Sequence, residues 1–132
     1  MVYVADSGNN RIRKITPLGA VTTLAGTGSF TPFSNGVGTS SATFYYPYGV
    51  AVDGSGNVYV GDSGNHRIRL ILPNGTVSTF AGSVSASWAD GTGTYAAFND
   101  PRLLSFTANG NLLVADSANH RCLLYTSDAA DE

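Results

Sequence analysis

Apolar residues fall into short runs along the chain, each closed by Gly, Asn, Asp or Ser. Two kinds of run occur. Residues 50–52, 58–60 and 112–114 (Val-Ala-Val, Val-Tyr-Val and Leu-Leu-Val) are apolar at every position, as expected for strands covered on both faces. Residues 67–72 alternate, with Arg67 and Arg69 set against Ile68 and Leu70. That is the pattern of a strand with one face toward solvent, in an outer position. Between the runs stand Asp53-Gly54-Ser55-Gly56-Asn57 and Pro73-Asn74-Gly75. Asn-Gly suits a tight hairpin because both central residues adopt φ > 0 there. The pattern predicts four strands: A at 49–52, B at 58–60, C at 67–72 and D at 76–81. A long connection then returns to the next A.

The pattern repeats. Residues 4–13 read VADSGNNRIR, residues 60–69 read VGDSGNHRIR and residues 114–121 read VADSANHR. Their acids, Asp6, Asp62 and Asp116, set a period of about 55 residues. GAVTTLAG at 19–26 recurs as GTVSTFAG at 75–82, and the connection at 35–52 recurs at 90–106. Self-similarity at this period, with four hairpin-linked strands per unit, predicts an all-β protein of β-propeller type. In a propeller each blade is sandwiched between its neighbours, which accounts for inner strands apolar on both faces. A parallel β-helix has shorter coils and fewer hairpin turns. The expected architecture is a β-propeller fragment of about two and a half four-stranded antiparallel blades. Residues 1–30 would be a partial blade with strands B, C and D, and residues 31–84 a complete blade with its preceding loop. Residues 85–121 would hold strands A, B and the start of C.

Composition fits this picture. Charged residues are only 12%, there are 16 Gly, and Lys14 is the one lysine. Residues 1–121 hold seven bases and six acids, while Asp128, Asp131 and Glu132 crowd the end. A nearly neutral body with no basic stripe argues against a nucleic-acid partner. No apolar run is long enough for a membrane helix. No signal peptide is visible, and the expected location is extracellular or periplasmic. The single cysteine, Cys122, cannot build a disulfide framework or thiolate metal site.

Three stretches carry a family resemblance: residues 46–53 (YPYGVAVD), 56–60 (GNVYV) and 62–69 (DSGNHRIR). They resemble the NHL repeat, and the likeness recurs over nearly all of residues 1–121. The resemblance implies a six-bladed, TolB-like propeller, so the remaining blades of the parent propeller are expected partners of this stretch. The third copy departs from the pattern. Arg102-Leu103-Leu104-Ser105-Phe106 replaces Gly-Val-Ala-Val-Asp, and Ala118 replaces Gly64. Residues 122–132 (CLLYTSDAADE) break the repeat and resemble a translated sequencing adapter, so they are expected to be a non-native tail.

The repeated box holds an acid, a hydroxyl and, twice, an imidazole, at His66 and His120. A catalytic group is normally unique, whereas this box recurs, and Asn10 takes the His66 position in the first copy. Asp6, Arg11, Asp62, Arg67, Asp116 and Arg121 are therefore expected to be structural. Asp and Asn would hold the turn backbone, and each Arg five residues on would pair with a carboxylate. On that reading Asp62→Ala lowers stability by about 1–3 kcal/mol. Asp90-Gly91-Thr92-Gly93 has too few carboxylates for Ca²⁺ and no following helix for phosphate. Asn74-Gly75-Thr76 matches a glycosylation acceptor, but the hairpin already accounts for it. No catalytic, metal-ligating or cofactor-binding residue is assigned.

The expected function is a non-catalytic binding or scaffold module mediating protein or carbohydrate interaction. The alternative is a stretch of a propeller enzyme, such as a metal-dependent amidating lyase or lactonase, with its catalytic residues in other blades. Strand A offers only Val, Ala, Leu, Ser and Phe, with Arg102 and Asp53 at its ends. The A–B and C–D turns are minimal, whereas the D–A connections are long and rich in aromatics. Long loops on a rigid scaffold usually carry recognition. Phe44 and Phe98 recur one repeat apart and are assigned to packing. Trp88, which shows no counterpart in the first loop, Phe33 and Tyr95 are the candidate ligand contacts.

Overall fold

The computed structural model describes residues 1–83 and 85–125. Eleven strands form three antiparallel sheets among these residues. The first contains β1 (Val2–Asp6), β2 (Arg11–Ile15) and β3 (Val21–Ala25). The second runs in the order β4 (Gly36–Val37), β8 (Thr76–Ala81), β7 (Arg67–Ile71), β6 (Val58–Asp62), β5 (Pro47–Val52). The third contains β9 (Pro101–Phe106), β10 (Leu112–Asp116) and β11 (Arg121–Tyr125). Each sheet is one blade. The inner strands converge, with β5 packed beside β9 and β1 beside β5.

The strands differ from the sequence pattern in three places. Strand A begins two residues early, at Pro47 and Pro101, because a bulge lets each proline pair with Asp62 or Asp116 beyond an irregular step. The second sheet also extends past strand D, because the loop leading into strand A lays Gly36–Val37 along the free edge of β8. That strip satisfies backbone groups a bare edge would expose. Strand C is not polar outward: Arg69 is fully buried, and Leu70 is the half-exposed residue. The strand-C pattern also continues through Tyr125, with Ala115 opposite Cys122 and Leu113 opposite Leu124. The rest of the expected tail lies outside the described residues.

The core lies between blades rather than within one. Ile12, Ala25, Phe44, Val58, Val60 and Ile71 fill the first joint, and Ile68, Ala81, Phe98, Leu112 and Val114 fill the second. Phe44 and Phe98 occupy matching places, and each is completely buried. Two glycines bring the second and third blades together at the inner end. A Cβ on Gly49 would strike the Arg102 carbonyl and lie 2.9 Å from the Leu103 Cα. A Cβ on Gly61 would lie 2.5 Å from the same carbonyl oxygen.

The outer faces of the first and third blades stay open. Val2, Val4, Leu103 and Leu124 are all exposed there, although Val58, Val60 and Gly49, the counterparts of the first three, are buried. Apolar sheet faces of this kind drive association. Residues 1–125 made alone are therefore expected to sediment as oligomers or aggregates. A soluble monomer with one sharp thermal transition would contradict this.

Candidate functional site

The repeated box works through its backbone geometry. In every copy Ser-Gly/Ala-Asn forms one 3-10 turn, and the next residue, Asn10, His66 or His120, is left-handed at φ 54–56°. Asp62 Oδ1 accepts the Tyr45 N–H at 2.8 Å, and Oδ2 accepts Asn65 Nδ2 at 2.8 Å. Asp116 accepts the Asn99 N–H at 2.7 Å and Asn119 Nδ2 at 2.6 Å. The hydroxyls reach the next blade, Ser7 donating to the Pro47 carbonyl and Ser63 to the Pro101 carbonyl, both at 2.5 Å. Asn10 Oδ1 accepts the Tyr46 N–H at 3.0 Å, and His66 Nδ1 accepts the Asp100 N–H at 3.1 Å. Ala118 fits in place of Gly64. A Cβ at Gly64 would press on both the ring and the backbone carbonyl of Tyr45; the third blade has Asn99 at that place, which removes the ring contact.

The arginines depart from the expected pairing. The carboxylate partner stands seven residues after the Asp, not five. Arg13 reaches Asp6 at 3.3 Å on a part-exposed surface, and Arg69 reaches Asp62 at 2.7 Å in full burial. Burial pushes the Asp62 carboxyl up and the Arg69 guanidinium down, each against the pull of the other charge. Arg69 also donates to the carbonyls of Thr43 and Ser34 and to Asn35 Oδ1. The third blade has Leu123 at this position. Arg11 donates to the Thr27 carbonyl. Arg67 lies over the Phe33 ring at 3.9 Å, and Arg121 over the Trp88 ring at 3.9 Å.

Those two stacks correct the reading of Trp88 as a residue without a counterpart: its counterpart is Phe33. Aligning Asn35-Gly36 with Asp90-Gly91 carries Phe33 onto Trp88. That offset is one step longer than the offset between Phe44 and Phe98, which hides the match. Phe33 is half-buried with Arg69 also over its ring at 4.5 Å. Trp88 and Tyr95 are exposed. Phe33, Trp88 and Tyr95 form no ring pair with one another among the described residues.

The structure instead gathers a different set. A cleft of about 420 Å³ opens between the second and third blades, on the side of the D–A loops. The second blade contributes Tyr45, Tyr46, Tyr48, Ser63, Gly64 and His66 to its lining, and the third blade Asp100 and Arg102. The bulges of β5 and β9 aim Tyr48 and Arg102 here, and those two residues hold the same strand position in successive blades. Arg102 donates Nε to Asp100 Oδ2 at 2.9 Å and brings a second nitrogen to 2.7 Å from the same oxygen. Its guanidinium lies 5.3 Å from the Tyr48 ring. Its pKa is raised, first by the hydrogen bond to Asp100 and then by that carboxylate's charge. Tyr46 and Tyr48 are about half exposed. Sequence reasoning passes over this set because strand A reads as starting at residue 49. The shared strand position of Tyr48 and Arg102 is the available signal.

An NHL repeat model matches residues 44–69. The chain is 37% identical over 132 residues to NHL repeat-containing protein 2 of Bos taurus, covering 91% of this chain and 18% of that protein. A structural-genomics protein of unknown function from Bacteroides thetaiotaomicron superposes with a TM-score of 0.84 at 30% identity. That superposition covers 94% of this chain and 32% of the other. The chain is a stretch of an NHL-repeat β-propeller. Virginiamycin B lyase from Staphylococcus aureus, at 14% identity and a TM-score of 0.60 over 96% of this chain and 34% of the lyase, shares the fold alone. The NHL stretch thus spans under a fifth of the length of the curated relative and about a third of each solved structure.

Proposed function

We propose that these blades form a non-catalytic binding module whose ligand, a protein or carbohydrate, enters the cleft between the second and third blades. The observation that carries this reading is the division of labour among the polar groups. Box carboxylates and His66 Nδ1 are engaged by turn and joint hydrogen bonds. The tyrosine rings and Arg102 remain accessible in a concave site. Aromatic rings and arginine on a rigid scaffold are common anchors of recognition. Trp88 and Tyr95, exposed on the D–A loops, would form a rim outside the cleft.

The test uses the full-length protein carrying these repeats, screened on glycan and peptide arrays. Tyr48→Ala combined with Arg102→Ala is expected to remove the wild-type hits without shifting the melting temperature appreciably, since both side chains are about half exposed. Phe33→Ser with Trp88→Ser is the counter-experiment. Hits that survive the cleft variant but vanish in the loop variant would move recognition to the loops.

A further inference from the structure

Strand A of the second and third blades starts at a proline, and the residue before each proline has left-handed backbone. Tyr46 stands at φ 48° before Pro47, and Asp100 at φ 59° before Pro101. Proline pushes its predecessor toward extended backbone, so both residues are strained and kept so by their surroundings. The Asp100 N–H donates to His66 Nδ1 at 3.1 Å, and its carbonyl accepts the Ser117 N–H at 3.3 Å. Its Oδ2 accepts two nitrogens of Arg102, at 2.9 and 2.7 Å. Oδ1 has no partner among the described residues.

An aspartate in this position has a particular chemistry. The usual side reaction of aspartate is closure of an imide by the next backbone nitrogen. Pro101 has no N–H, so that route is shut. The carboxylate can instead attack its own carbonyl carbon, which closes a five-membered ring and needs no movement of another residue.

We propose that Asp100–Pro101 is a self-cleavage site. Oδ1 forms a bond to the Asp100 carbonyl carbon, and the Ser117 N–H meets the oxyanion that develops. The bond from that carbon to the Pro101 nitrogen then breaks. The nitrogen leaves as a secondary amine, taking a proton from solvent water. The cyclic anhydride left on Asp100 takes up one water and opens to two carboxyl groups. The Asp100 side chain is 29% exposed, so water reaches the ring. Breaking the bond frees the backbone of Asp100 and releases its strain.

Protonation of the leaving nitrogen makes the reaction faster in mild acid. The charged and titratable groups around Asp100 are Arg102 on β9, and His66, Tyr46 and Tyr48 across the cleft. Asp116, paired opposite Pro101, is occupied by the Asn99 N–H. Tyr46–Pro47 has the same left-handed backbone and no carboxyl, which makes it a control within the chain. β9 stays paired with β10 from Leu104 to Phe106, so the nicked protein keeps its blades together.

The experiment incubates the full-length folded protein in mildly acid buffer and follows fragments by mass spectrometry and N-terminal sequencing. A new terminus beginning Pro101-Arg102-Leu103 is expected, with Tyr46–Pro47 intact. The same protein unfolded in guanidinium at the same pH measures the ordinary lability of such a bond. The folded protein should cleave about tenfold faster, as release of backbone strain predicts. Asp100→Asn, which suits left-handed backbone, should fold and stay whole. Asp100→Glu, which needs a larger ring, should cleave more slowly. The proposal is overturned if the folded protein cleaves no faster than the unfolded chain. It is equally overturned if Asp100→Asn cleaves at the wild-type rate.

Discussion

Alanine at Asp62, Asp116 and Asp6 is expected to destabilise the protein in that order, although the three residues hold the same place in the same box. Asp62→Ala strands Arg69, whose side chain is completely buried. Breaking a buried pair by removing one partner costs about 3–5 kcal/mol, because an uncompensated charge is left inside. This exceeds what the turn alone would suggest, and the difference is the guanidinium seven residues downstream. Asp116→Ala strands no such charge, since the third blade has Leu123 where the second has Arg69. It removes bonds to the Asn99 N–H and to Asn119, at about 1–3 kcal/mol for the unsatisfied groups. Asp6→Ala opens a part-exposed pair at 3.3 Å and should cost about 0–1 kcal/mol. Denaturant unfolding of the three variants in one parent protein gives the comparison. Equal losses at all three positions would mean that the turn, not the buried pair, sets the energy.

The box also shows how far the sequence can be read. Its recurrence at Asp6, Asp62 and Asp116 reveals the blades, because each blade spends the same hydrogen bonds on the same joint. Phe44 and Phe98 are legible as packing for the same reason. Long-range geometry is not legible. Arg69 looks like the solvent face of an alternating strand, and only the convergence of Asp62, Ser34, Asn35 and Thr43 takes it inside. Strand A reads two residues short because Pro47 and Tyr48 resemble a turn, and the bulge that seats them depends on β6. The cleft is missed with it, since its walls come from different blades and no local pattern joins them. Trp88 and Phe33 stand out as loop aromatics, while the arginines stacked on them, Arg121 and Arg67, come from a later part of the chain.

Gly49→Leu is expected to cost about 3 kcal/mol or more, while the reverse exchange in the next blade, Leu103→Gly, costs about 1 kcal/mol. The two residues are matched positions of strand A. At Gly49 the space a side chain would need is filled by backbone of the third blade: the Arg102 carbonyl, the Leu103 Cα at 2.9 Å and the Leu104 nitrogen at 3.1 Å. Backbone within a paired strand cannot step aside as a flexible side chain can, so any Cβ here pushes β9 away from β5. The Phe98 cluster sits in the same joint, and widening the inner end would loosen that packing as well. Leu103 has no such neighbour and leaves 60% of its surface exposed. Removing it loses a small buried area and adds the backbone freedom of glycine. Ala115 likewise stands where the second blade has Gly61. A further blade seated on the third with the geometry of the second joint would place its own backbone on the Leu103 side chain. In the full-length protein, a joint beyond the third blade is therefore expected to have different spacing. Thermal unfolding of Leu103→Gly in the full-length protein tests this by sign. Relief of a clash would raise the melting temperature, and that result would show the joint to be a copy of the second after all.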